Sequence, residues 1–466
     1  MVMWVREIGY QPADFDRFNI VHVAGTKGKG TTCAFVDSIL SQYHDHYKTP
    51  RRVGLYTSPH LLSVCERIRI NSKPLTEEKF AHYFFEVWDM LEAAAVERGG
   101  DISIKPKYFR YLTLMSFHVF MKEDVDVAIY EVGVGGQFDS TNVIERPIVT
   151  GITSLGIDHV QILGNTIEEI AWHKAGIMKS GSYTYSVWQP ESAMDVLRER
   201  AKEKGSIFKA IPHAECLKNV RVVPDEDFQK RNASLAIFLT AHVLARLYLS
   251  GTTEHDREKI KADADDILSL EQPLPELFGA GLTDTVVRGR CEIIDKAYGR
   301  WFLDGAHTKE SLEVVSDWFG KIVQTSADQE GVDALCILLF NQQASTRERK
   351  RLITTVQERL RQKWNIRPQE SIFCTNITFK SQGYATDLDD RNSDHAIVSS
   401  LTVQHEYAKY WQLHDPEAST HVVASIEEAI ATICDLNKAN TGRPVYILAT
   451  GSFRLIGGVL TILESE

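Results

Sequence analysis

The segment Gly25-Thr26-Lys27-Gly28-Lys29-Gly30-Thr31-Thr32 constrains this chain more than any other. It follows Asn19 to Ala24, which reads as a buried strand, and it runs into a helical pattern from Thr31 to Ser41. Strand, glycine-rich turn and helix N-terminus in that order build an anion cradle. Glycines let backbone amides approach phosphate, the helix dipole favours negative charge, and a lysine neutralises the outer phosphates. A flexible surface turn would need none of that flanking structure. The usual phosphate-loop pattern is not met in full. Val23 stands where its first glycine would fall, and Gly30 where Ser or Thr would follow the lysine.

Around this loop, short β-branched runs alternate with longer helical patterns. Strands are expected at Arg52–Tyr56, Val125–Glu131 and Pro147–Thr153, and helices at Thr76–Ala95, Tyr108–Met121 and Thr166–Met178. That alternation implies an α/β fold with a mainly parallel sheet and helices on both faces. The rhythm breaks between about Ser250 and Arg290, where Glu254–Asp266 is densely charged and Gln272-Pro273-Leu274-Pro275 interrupts any period. A domain junction near 275–290 is the natural reading. Strands resume near Cys291–Ile294, Trp301–Leu303, Ala334–Phe340, Ser371–Thr375, His421–Ala424 and Val445–Ala449, with a last helix after Gly451. Asp387–Asp394 is expected to be a solvated insertion loop.

Composition narrows the class. With 466 residues, 43% hydrophobic and 25% charged, the chain suits a two-domain globular protein. No apolar stretch reaches membrane-spanning length. Met1–Glu7 has neither a signal-peptide core nor a transit-peptide pattern. The net charge of −11 argues against a nucleic-acid partner but not against anionic small molecules. The seven cysteines are scattered, with no C-x-x-C pair, as expected for reduced thiols in a cytosol-like compartment.

Two residues carry chemistry by position alone. Glu131 ends the apolar run Val127-Ala128-Ile129-Tyr130, and a carboxylate at the C-terminal end of a parallel strand faces the ligand crevice. His159 ends the next such segment, so the pair reads as a divalent-metal site near the phosphate loop. Taken singly, His159 reads equally as a buried structural histidine, Glu131 as a helix-capping carboxylate and Lys174 as a solvated helical lysine.

The loop Ala24–Thr32 resembles that of the folylpolyglutamate synthases, which are similar to the Mur ligases. The resemblance continues through Tyr56-Thr57-Ser58-Pro59-His60-Leu61 with Glu66–Asn71, which looks like the family's Ω-loop. It extends to Glu131–Gly136 with Asp139-Ser140-Thr141-Asn142, then Gly156–His159, His173–Ile177, Leu303–His307 and Thr450–Ser452, in family order. It implies a P-loop-type ATPase domain with mainly parallel sheet over residues 1–280 and a smaller Rossmann-like α/β domain over 281–466. It also implies ligation of L-glutamate to tetrahydrofolate and its polyglutamates, giving ADP and phosphate. Making an amide from a carboxylate requires activation, and an acyl phosphate formed from ATP supplies it.

The resemblance assigns Gly25, Gly28, Lys29, Gly30, Thr31, Arg290 and Asp304 to ATP, and Ser58, Glu131 and His159 to Mg2+. It makes Lys29, Glu131, His159 and Lys174 catalytic, with Lys174 a candidate for carbamylation by CO2. His60, Arg67 and His307 are folate or glutamate candidates, and a monovalent cation is a further candidate cofactor. A two-domain ATP site would close on its substrates. A monomer in the cytoplasm, with a mitochondrial form, is expected. Thr31 replaces the family's usual serine and keeps its hydroxyl, whereas Phe138 stands where tyrosine is common. The 24 residues before Gly25 are fewer than usual, so a clipped N-terminus or a missing targeting segment is expected. The alternatives are a dihydrofolate synthase, a bifunctional enzyme, or, from another class, a P-loop kinase or regulatory ATPase. The last would explain Gly28–Thr31 but not Glu131, His159, Lys174 and Asp304 together.

Overall fold

A computed structural model describes residues 1–212, 217, 220–247, 252–269, 273–330, 333–343, 346–381, 398, 400–440 and 442–465. The expected insertion loop Asp387–Asp394 lies outside the described residues. The chain divides into two compact units, one of residues 1–60 and 65–286 and one of 61–64 and 287–466.

The strands of the first unit are β1 (Val21–Ala24), β2 (Val53–Tyr56), β3 (Ile68–Ile70), β4 (Lys73–Pro74), β5 (Val127–Glu131), β6 (Val149–Ile152), β7 (Tyr183–Ser186) and β8 (Ile207–Ala210). They form one eight-stranded sheet in the order β4-β3-β2-β5-β1-β6-β7-β8. All neighbours pair in parallel except β2–β3 and β3–β4. Every residue of β1, β2, β5 and β6 is buried, as expected for parallel strands covered on both faces. The β3–β4 hairpin, β7 and the edge strand β8 are short and gave no sequence signal.

Two glycines set how closely helices approach this sheet. Gly151 in β6 admits Leu239 of the helix Asp227–Arg246, where a Cβ would stand 2.9 Å from its Cδ1. Gly54 in β2 admits Phe120 of the helix Tyr108–Lys122, where a Cβ would stand 2.8 Å from the ring.

The charged stretch 254–266 is part of a helix, Glu254–Ser269, that buries Ile260, Asp263, Ala264 and Ile267. That spacing is the 3.6-residue stripe, but an aspartate occupies one of its four places. Asp263 is tolerated there because Tyr43 donates its hydroxyl to it at 2.8 Å. The next helix, Glu276–Asp284, spans residue 280 and belongs to the first unit. Its Gly281 lies so close to the helix Lys29–Tyr47 that a Cβ would stand 2.6 Å from Ile39 Cα.

The second unit contains β9 (Glu292–Lys296), β10 (Gly299–Asp304), β11 (Leu335–Phe340), β12 (Glu370–Phe373), β13 (Ser419–Val422) and β14 (Val445–Thr450). Their order is β13-β12-β11-β14-β10-β9, parallel except for β9. Its core joins Trp301, Leu303, Ile337 and Ile447 of the sheet to Leu455, Val459 and Leu463 of the last helix, Phe453–Ser465. Among the described residues, no helix is long and apolar enough to cross a membrane.

Overpacking at Gly54 tests the closeness of the helix–sheet contact. Gly54→Ala should destabilise the first unit by about 1–3 kcal/mol, because the Phe120 ring must shift in a filled core. Urea denaturation measures this, and an unchanged midpoint would show that the ring has room to move.

Candidate functional site

The central strand β1 lies between β5 and β6, with Val23 opposite Glu131 and Ala24 opposite Ile152. Three strand ends therefore deliver Gly25, Glu131 and Thr153 side by side. Gly25 has φ +151° and Gly28 φ +90°, both in the left-handed region that glycine enters without strain. A Cβ at Gly25 would run into the Thr153 hydroxyl, and one at Gly28 into the Asn232 carboxamide. The amides of Thr26 and Lys27 both donate to Ser154 O, at 3.0 and 3.1 Å. The Thr26 hydroxyl accepts from Gly156 N at 3.1 Å and donates to Gly156 O at 3.1 Å. Pinned in this way, the loop hands over to a helix that starts at Lys29, with Gly30 and Thr31 in its first turn. The first amides of any helix lack intrahelical acceptors, and here they are left for an anion.

Lys29 Nζ donates to Gly25 O at 3.0 Å. Lys174, only 3% exposed at the end of the helix Ile167–Lys174, donates to the same oxygen at 2.8 Å. Burial first, and then the neighbouring charges of Lys29 and Lys27, lower the Lys174 amine to about 7, although Asp158 and Asp139 pull the other way. The helix expected to run to Met178 stops at Lys174 and tightens into a 3-10 turn, Ala175–Ile177. Gln137 N donates to the His173 carbonyl at 2.7 Å, and Asn142 Nδ2 donates to that of Gly176 at 3.2 Å. The segment 134–142 is itself folded by Asp139, which accepts from Val134 N, Thr141 N and the Thr141 hydroxyl. Phe138 points out, 77% exposed.

Glu131 is buried, and its Oε2 accepts the Ser58 amide at 3.0 Å. A Cβ on Gly30 would stand 3.4 Å from the same oxygen, so the carboxylate lies against the first turn of the loop helix. Of the expected metal set Ser58, Glu131 and His159, Ser58 is joined to Glu131, and Gly30 of the phosphate loop lies against the same carboxylate. His159 adopts a left-handed backbone with φ 52°, and the residue is exposed rather than buried. Its amide donates to Asp158 Oδ1 at 2.8 Å, and Asp158 Oδ2 lies 3.4 Å from Lys27 Nζ, which ties His159 to the loop. Among the described residues, no group of three or more His, Cys, Asp or Glu side chains is gathered as a metal cage. The buried anionic oxygens of Glu131 still suit a hard divalent ion that takes part of its shell from hydroxyl, phosphate and water.

Arg67 Nε donates to His60 Nδ1 at 2.9 Å, and the guanidinium lies 5.3 Å from the Tyr108 ring centroid. These two candidates therefore touch.

In the second unit, Asp304 is buried, and its Oδ2 accepts the Cys291 amide at 2.8 Å. Burial raises its carboxyl, against the opposing pull of Arg290. The Asp304 carboxylate accepts the Ala306 amide of the turn that follows it, and Ser311 Oγ accepts the His307 and Thr308 amides. His307 Nδ1 lies 3.0 Å from Gly305 O.

Sequence reading missed Asn232, which is buried on the helix Asp227–Arg246 beside Gly28. Its carboxamide donates to Gln229 Oε1 at 3.2 Å. A lone amide in an apolar helical run gives no local sign that its neighbour lies in a loop some 200 residues earlier in the chain.

No protein-family model matches the chain. The folylpolyglutamate synthase of Neurospora crassa is 44% identical over 471 residues, covering 100% of this chain and 85% of that protein. That of Saccharomyces cerevisiae is 44% identical over 470 residues, covering 99% and 80%. Among solved structures, Mycobacterium tuberculosis folylpolyglutamate synthase complexed with ADP and AMPPCP aligns with a TM-score of 0.71 at 21% identity, covering 99% of this chain and 95% of that one. Escherichia coli FolC in complex with DHPP and ADP aligns at 0.66 and 20%, covering 100% and 92%. The Yersinia pestis bifunctional folylpolyglutamate synthase/dihydrofolate synthase complexed with AMPPNP and Mn ion aligns at 0.63 and 21%, covering 99% and 93%. The structural likenesses carry the fold, and identity at this level along the full length of fungal relatives carries the family: the chain belongs to the folylpolyglutamate synthases.

Proposed function

We propose that this protein adds L-glutamate to the γ-carboxyl of tetrahydrofolate and its polyglutamates, using ATP and passing through an acyl phosphate. The observation that carries this reading is the full-length 44% identity to folylpolyglutamate synthases, on a chain whose phosphate loop lies against a buried carboxylate. Gly25, Gly28, Gly30 and Thr31 shape the anion cradle, and Lys29 faces the outer phosphates. Arg290 and Asp304 are likewise assigned to ATP. Ser58, Glu131 and His159 would hold Mg2+, which supplies charge neutralisation of the travelling phosphoryl group. His60, Arg67 and His307 are assigned to folate or glutamate.

The lowered Lys174 amine supports the carbamylation reading, because a neutral amine must form before CO2 can add. The assignment of a reducing compartment, cytoplasmic with a mitochondrial form, is supported by the described cysteines, all free thiols and mostly buried.

Product analysis tests the activity. The protein, ATP and glutamate are incubated with tetrahydrofolate or with dihydropteroate, and products are resolved by mass. Successive glutamate additions to tetrahydrofolate alone are expected; use of dihydropteroate would move the assignment to a bifunctional enzyme, and ATP hydrolysis with neither acceptor extended would remove the ligase reading.

Glu131→Gln should lower the apparent Mg2+ affinity at least on the order of tenfold, with activity partly recovered at high Mg2+. An unchanged Mg2+ titration would take Glu131 out of the metal site.

Lys174 should leave a signature in stability. Between about pH 7 and the ordinary lysine value of 10.5, the unfolded chain holds a proton that the folded protein has lost. Stability therefore rises with pH across that window. Lys174→Met should flatten the rise in urea unfolding measured at pH 7, 8 and 9, and parallel curves for the two proteins would refute it.

A further inference from the structure

Strands β10 and β14 run parallel with Asp304 opposite Thr450, so Gly305 and Gly451-Ser452-Phe453 leave the sheet side by side. Phe453 opens the last helix, and its ring lies across Gly305, where a Cβ would stand 2.9 Å from the ring Cγ. Strand β9 returns antiparallel to β10, with Leu303 opposite Glu292, which brings the preceding Gly289 and Arg290 to the same end. Gly305 N donates to Gly289 O at 3.1 Å and fastens the two crossings together. The exposed Arg290 consequently has its guanidinium carbon 4.0 Å from the Phe453 ring centroid.

We propose that Phe453 is a positioning residue for nucleotide binding: its ring supports one face of the Arg290 guanidinium and turns the N–H edge toward phosphate. This rests on the reading of Arg290 as an ATP contact. An unsupported arginine carries substantial rotamer freedom that a bound ligand must freeze out. Stacking on an aromatic face restricts that freedom before the ligand arrives and leaves the in-plane donors available for bidentate contact. Gly305 has a matching task, since a side chain there would lift the ring off its seat.

The test is a double-mutant cycle on the full chain, with KM for ATP, glutamate and folate, kcat, and thermal unfolding measured for each variant. Phe453→Leu keeps an apolar side chain and should raise KM for ATP on the order of fivefold, leaving KM for glutamate unchanged. Phe453→Tyr should restore the native value. In an Arg290→Ala background, Phe453→Leu should add almost nothing. If Arg290→Ala weakens ATP binding while Phe453→Leu does not, or if the Phe453→Leu penalty persists in full without Arg290, the positioning role is wrong and the Arg290 assignment stands. If Arg290→Ala leaves KM for ATP unchanged, both fall.

Discussion

Two lysine side chains, Lys29 and Lys174, donate to one carbonyl oxygen, that of Gly25. Much of the site follows from that shared acceptor. The oxygen is available only because β1 ends between β5 and β6 and the chain turns at once through a left-handed glycine. Clustered cations at a buried site repel one another, and their desolvation is costly unless negative charge compensates. Asp158 and Asp139 compensate in part. An anionic ligand at the helix N-terminus would complete the neutralisation, so the arrangement makes sense chiefly as one half of a phosphate complex.

The same strand ends supply the opposite charge. Glu131 is held by the Ser58 amide and faces Gly30 across a gap that a β-carbon would narrow to contact distance. Position 30, where common phosphate loops place a hydroxyl, lies beside this carboxylate, and a β-carbon there would make ordinary contact with it. On the function proposed above, this carboxylate would take over part of the metal-binding duty that the hydroxyl performs in those loops.

What the sequence disclosed tracks how local each signal is. The loop, β5 and its terminal Glu131, and the alternating order of elements were legible because strand, turn and helix preferences act over a few residues. The helix Glu254–Ser269 was not, since Asp263 breaks its apolar stripe and is excused only by Tyr43, far away in sequence. Asn232 beside Gly28 and the Arg290–Phe453 stack were hidden for a related reason: each is a pair whose members the sheets bring together from distant positions.

The chain's charge of −11 would seem to disfavour a protein that handles polyanions. Screening removes the difficulty. At physiological salt, fields decay over about 8 Å, so charges spread over the surface act weakly on a ligand already in a cleft. Lys27 and Lys29 stand in one loop, and the amides of the Lys29–Tyr47 helix add the positive end of its dipole. Local potential, set by these few groups, weighs more at the loop than distant surface charge does.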